Sequence, residues 1–160
     1  MFKSTFVCVV LLAIAAPVFG QATASPEDLA AIKATALDYA QSWYTGDADR
    51  MEKALSPDLA KRIVRTRDGH SRIDQMGAMA LVQGVRAGYG TKTPKDQQLA
   101  DVTVLDVFGN TASVKCVMSG WVDYMHIGKV DGRWVIINVL WEMKPETHTR
   151  RGPSARPNSL

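Results

Sequence analysis

Cysteine is almost missing from this chain: Cys8 and Cys116 are the only two in 160 residues. If the first segment is removed on export, as argued below, one thiol remains, and a single thiol cannot form an internal disulfide. Histidine is scarce too. His70, His126 and His148 are far apart in sequence and no pair has metal-ligand spacing, so neither a metal nor another cofactor is expected. Charge of one sign is in short supply: the formal net charge is +3, and the basic residues are scattered with no aromatics interleaved. That excludes the electrostatic footprint of a nucleic-acid binder. The chain also lacks an apolar run long enough to span a bilayer.

What is present is an ordinary globular composition, 46% hydrophobic and 22% charged, in a length that suits one domain with a real core. Lys3 is the only charge before Glu27, and Phe6 to Ala16 is unbroken apolar sequence followed by small residues. This is the pattern of a cleaved signal peptide, expected over residues 1–24, and it predicts a secreted or periplasmic protein with no membrane segment in its mature form. The domain is expected over 25–145. The remainder, 146–160, loses all periodicity and is read as a disordered basic tail.

Ser25-Pro26-Glu27-Asp28 is a helix start, with a capping serine, a proline in the first turn and an acid at the third position. Leu29, Ile32, Ala36, Ala40 and Trp43 then recur at helical spacing up to a stop at Thr45-Gly46. Asp47 starts a second, shorter helix that Ser56-Pro57 ends. Leu59–Arg67 reads either as a strand with its basic residues on an exposed side or as a helix end followed by a strand. Asp68-Gly69 is a turn, and Asp74 is expected to cap a third helix over 75–87. The loop 88–98 superficially resembles a phosphate loop, but Lys92 has no glycine before it. The loop also runs from helix to strand, the reverse of what such a loop needs.

From Leu99 to Met143 the chain reads as an antiparallel meander. Gly109-Asn110, Ser119-Gly120 and Asp131-Gly132 break runs rich in Val, Ile, Thr and aromatics. Side chains alternate across a strand, so the turns fix the faces. Carried straight through each strand, the alternation puts Val114, Cys116, Met118, Trp121, Asp123, Met125, Trp134, Asn138 and Glu142 on one face, with Asp123 and Asn138 as diagonal neighbours. Tyr124, His126, Ile137 and Trp141 fall on the other. That second face is too apolar for water, which predicts a homodimer packed through it.

The stretches YTGD, DLAKR, DVFGNTA and DGRWVIINVLWE, with the order helix, short helix, strand, third helix and long meander, resemble the putative lumazine-binding family of the nuclear transport factor 2-like (SnoaL-like) superfamily over about residues 27–145. The resemblance implies an α+β fold, a cone-like curved antiparallel β-sheet wrapped around three N-terminal helices. A pocket at the wide end and frequent homodimers come with it. The family's label suggests pteridine-like ligands, while relatives range from isomerases and dehydratases to modules with no chemistry, and a fold does not choose among these.

On the residues themselves, Asp123 is the candidate general base, because burial on an apolar face favours the neutral acid and brings a carboxyl toward the working range of a base. Its bland alternative is a structural aspartate bonded to a helix end or to Arg or Lys of the first strand. Tyr39, Trp43, Trp121, Trp134 and Asn138 are the candidate ligand-binding residues, aromatics beside a few polar groups being how small-molecule pockets are lined. The reading is a binding module for a small, flat, apolar molecule. The alternatives are an isomerase or dehydratase acting through Asp123, and a structural dimeric domain.

Overall fold

The structure is a computed structural model that describes residues 24–145; the expected signal peptide and tail lie outside the described residues, apart from Ala24. Helix α1 runs Pro26–Thr45, α2 Ala48–Ala54 and α3 Ala78–Arg86. The strands are β1 Leu55–Arg67, β2 His70–Met76, β3 Ala100–Phe108, β4 Thr111–Met118, β5 Trp121–Val130 and β6 Arg133–Met143. They form one six-stranded sheet in the order β2-β1-β6-β5-β4-β3. Every neighbouring pair is antiparallel except β1 and β6, which are parallel, so the sheet is mixed where the sequence suggested a purely antiparallel one.

The ends of the elements follow local chemistry. Ser25 Oγ accepts from the Asp28 backbone N–H at 3.1 Å, and Gly46 closes α1 in the left-handed region at φ 75°. Asp47 accepts from the Arg50 N–H at 3.0 Å and starts α2. In the last hairpin Asp131 and Gly132 have φ of 48° and 78°, the two left-handed residues of a type I′ turn. The expected third helix begins later than its sequence suggests. Asp74 does not cap it but lies in β2, bonded to Arg65 and Arg72, and Gly77 precedes the first helical turn.

The three helices cover one face of the sheet. Ala112, Val114, Cys116 and Met118 of β4 alternate inward and meet Ile32, Ala36 and Tyr39 of α1 in a single buried cluster. Each fully buried Ile, Val or Met among them contributes about 1.5–3 kcal/mol, so the cluster is a large part of what holds α1 on the sheet. The Ser119-Gly120 turn, on which the whole register depends, is tied down by Tyr44. Its hydroxyl donates to Leu99 O at 2.8 Å and accepts from the Ser119 N–H at 3.0 Å. Cys116 is accordingly opposite Asp123, as the turn requires.

One expectation about the faces fails in β6. His126 pairs with Asn138, yet Ile127 pairs with Ile136, so Ile137 is an extra residue. The tip of its side chain lies beside Gly128, where a Cβ would stand 2.4 Å from Ile137 Cδ1. A bulge of one residue inverts every face beyond it. Asn138, Leu140 and Glu142 therefore turn outward, and Val139 and Trp141 turn inward. Trp141 leaves the predicted dimer surface and Asn138 leaves the predicted pocket.

Candidate functional site

Four side chains from three elements converge on one buried cluster. Tyr39 comes from the inner face of α1, Lys61 from β1, and Trp121 and Asp123 from the start of β5. Lys61 is 5% exposed and Asp123 is fully buried. In β1, Leu59, Lys61 and Ile63 alternate inward, so the lysine occupies a position at which an apolar residue is the rule. It is not among the exposed basic residues of the strand, as its composition suggests.

Asp123 is saturated with donors. Lys61 Nζ donates to its Oδ1, and its Oδ2 accepts from Trp121 Nε1 at 2.8 Å and from the Tyr39 hydroxyl at 3.2 Å. Lys61 donates a second time, to Tyr39 Oη at 2.7 Å. Two charges removed from water are tolerable only when paired and hydrogen-bonded, and this arrangement supplies both. Burial pulls the Lys61 ammonium below its ordinary pKa, with the Asp123 charge opposing that shift. Burial first, and the Asp123 carboxylate second, hold the Tyr39 phenol well above its ordinary range. Cys116, across the strand from Asp123, is pushed up to about 12 by the same two causes, which makes it an inert core thiol.

Above this cluster lies a cavity of about 220 Å³ between α1, α3 and the β1, β5 and β6 end of the sheet. Tyr39 and Lys61 form part of its wall; Asp123 lies behind them and does not line it. Trp43, Trp121 and Trp141 build the aromatic side. Trp121 meets Trp43 edge-on at 5.5 Å between ring centres and Trp141 at 6.2 Å. Tyr89, 67% exposed, and Met143 stand at the rim. The loop after α3 reaches the wall by close approach. Gly90 packs against Trp43, where a Cβ would sit 2.1 Å from the Trp43 carbonyl oxygen.

Of the candidate residues read from the sequence, the structure brings Tyr39, Trp43 and Trp121 to this cavity and sets Asp123 behind it. Trp134 lies elsewhere: its Nε1 donates to Asp28 at 2.8 Å near the start of α1. Asn138 is on the outer face, its Oδ1 accepting from Arg62 at 2.9 Å and its Nδ2 3.2 Å from His126 Nδ1. A lysine of the first strand was the alternative partner for Asp123, and Lys61 is that residue, though it was not singled out as part of a site; Trp141 was expected on the opposite face. The period-two spacing of Leu59, Lys61 and Ile63 is the signal that finds the lysine. The signal for Trp141 is weaker: only a bulged register pairs Asn138 with another polar side chain. Among the described residues no group of three metal-ligating side chains occurs.

The comparisons agree with this architecture. A search of curated protein sequences finds no match. An NTF2-like protein of unknown function from Shewanella baltica OS155 superposes with a TM-score of 0.60 at 18% identity, over 77% of this chain and 98% of its own. An NTF2-like protein with a cystatin-like fold from Novosphingobium aromaticivorans gives 0.54 at 15% identity, over 76% and 85%. A ketosteroid isomerase-like protein from Erwinia carotovora atroseptica gives 0.54 at 14%, over 76% and 100%. At these identities the likeness establishes the fold alone. The model of the family described as "Putative lumazine-binding" matches residues 27–142, and the chain belongs to that family, within the NTF2-like fold.

Proposed function

We propose that this domain is a binding module for a small, flat, largely apolar molecule. The observation that supports it is the cavity of about 220 Å³ walled by Trp43, Trp121 and Trp141 over a buried ion pair. A concave apolar pocket with a few convergent polar groups is the usual form of a small-molecule site. The family's label, lumazine binding, points to the same kind of ligand. The isomerase reading is weaker, because a general base must reach the proton it removes. Asp123 is fully buried behind Lys61 and Tyr39 with both oxygens occupied. Native mass spectrometry of the purified protein tests the proposal: a bound small molecule of constant mass is expected. Purification without any, together with no tryptophan fluorescence response to flat heterocycles, counts against it.

A second reading concerns assembly. Val64, Ile73, Tyr124 and Leu140 are all exposed on the sheet face that the helices do not cover. We propose a homodimer through this face, with Tyr124, His126 and Ile137 as first expected and Leu140 in the place of Trp141. Sedimentation velocity at micromolar concentration should give a dimer that Tyr124→Asp with Leu140→Asp converts to a monomer. A wild-type monomer would reject it. Export by the N-terminal segment belongs to the same proposal, and intact mass of the protein recovered outside the cytoplasm tests it through loss of about the first 24 residues.

A further inference from the structure

The floor of the cavity has a one-sided hydrogen-bonding capacity. A lysine ammonium carries three N–H donors and accepts nothing. Lys61 spends one donor on Asp123 and one on Tyr39. No other oxygen or nitrogen acceptor among the described residues is bonded to it; its nitrogen lies over the face of Trp141, 4.8 Å from the ring centre, so the third N–H has only an aromatic face beside it, in the wall of the cavity. The Tyr39 proton is committed to Asp123, and the Trp141 indole N–H is buried with no partner. In the cavity wall Lys61 thus keeps one N–H without an oxygen or nitrogen acceptor, while the carboxylate behind it has both oxygens in use.

Charge narrows the ligand further. The Lys61 charge is already paired with Asp123, so the pair carries no net charge to neutralise an anion, and an apolar wall penalises an ion that arrives without a partner. Size sets the rest. A dry cavity of about 150 Å³ accepts one benzene ring, so the 220 Å³ found here has room for a second fused ring. We infer that the ligand is a neutral, planar, two-ring molecule whose carbonyl oxygen, or an equivalent ring acceptor, takes the third N–H of Lys61 while its rings lie among Trp43, Trp121 and Trp141. This rests on the cavity being a ligand site, as proposed above, and specifies the chemistry of what fills it.

Isothermal titration of the wild-type protein with 1-indanone, indane and indane-1-carboxylate tests it without any variant. The three share a two-ring frame and differ in having a neutral carbonyl, no acceptor, or an anionic group. A hydrogen bond to a charged donor predicts that 1-indanone binds about tenfold tighter than either of the others. Indane or the carboxylate binding as tightly as the ketone overturns the inference and leaves the ligand site standing. Absence of binding by all three to the folded protein overturns both. The joint variant Lys61→Met with Asp123→Leu removes the ion pair as a unit and should abolish the preference for the ketone. A preference that survives in the folded double variant rules out Lys61 as the partner.

Discussion

Asp123 and Trp141 stand directly opposite each other on β5 and β6. They do so only because β6 carries one extra residue at Ile137; an unbroken alternation puts Leu140 opposite Asp123 and sends the tryptophan to the other side of the sheet. The same single residue moves Asn138 out to His126 and Arg62. Cavity and outer surface are therefore divided by one irregularity in one strand.

This division predicts opposite phenotypes for neighbouring residues. Trp141→Ala should weaken binding of a flat probe at least tenfold, since an aromatic wall residue is lost, and should leave the oligomeric state unchanged. Asn138→Ala should leave probe affinity within about twofold, because a site on the other face is not touched. Fluorescence titration and sedimentation on both variants decide the matter. Loss of binding in the asparagine variant would place β6 in the unbulged register.

Most of the fold was legible in the sequence, and for identifiable reasons. Ser25, Gly46 and Asp47 announce helix ends through chemistry that operates over three or four residues, and Asp131-Gly132 does the same for a hairpin. The parity of β6 was not legible, because W134-V-I-I-N-V-L-W141 has no clean alternation to show where the extra residue falls. Lys61 was hidden for a similar reason. The alternation of Leu59, Lys61 and Ile63 points it inward, but the stretch 59–67 also reads as a helix end followed by a strand, and only the pairing with β6 settles that. Tyr39 and Asp123 were found, but their joint role depended on that missing partner.

The buried pair should behave as a unit under mutation. Asp123→Asn strands the Lys61 charge and is expected to cost about 3–5 kcal/mol in urea denaturation. Tyr39→Phe removes one acceptor of Lys61 and one donor to Asp123 and should cost about 1–3 kcal/mol. Lys61→Met with Asp123→Leu should be much less damaging than the sum of its parts. An additive double variant would mean that the two charges are not coupled in the folded protein.

Gly90 offers a test of the cavity wall that involves no charge. A Cβ at this position meets the Trp43 carbonyl oxygen at 2.1 Å, and backbone cannot swing aside as a side-chain tip can. Gly90→Ala should therefore cost about 1–3 kcal/mol and shift the Trp43 emission to the red as the loop lifts. Gly120→Ala, where a Cβ meets nothing within 4 Å, is the matched control and should be near neutral. Equal effects at the two glycines would show that the loop does not close on Trp43.

Alkaline pH should destabilise the fold through Cys116. Its pKa rises on folding from an ordinary 9.0 to about 12, so the folded state holds the proton longer than the unfolded state does. The contribution is complete below pH 9.0 and disappears as pH climbs toward 12. The raised Tyr39 pKa acts in the same direction, and the lowered Lys61 pKa acts against both. Cys116→Ala, though less stable at neutral pH, should lose stability less steeply above pH 9. An unchanged slope in urea melts at successive pH values would remove the thiol from this account.

Strand β6 has a topological consequence for how the molecule is made. It is the last strand in sequence and the joint of the sheet, flanked by β1 on one side and β5 on the other. Until it is in place the strands already synthesised are two unconnected pieces, β2-β1 and β5-β4-β3, each with an open edge able to pair with another chain. Lys61 and Asp123, 62 residues apart, are on opposite sides of that gap. The strands that carry the two charges are joined in the sheet only through β6, so a nascent or truncated chain lacking it has no completed site and two adhesive edges. Completion of the site is thereby a report that the whole sheet has closed ranks.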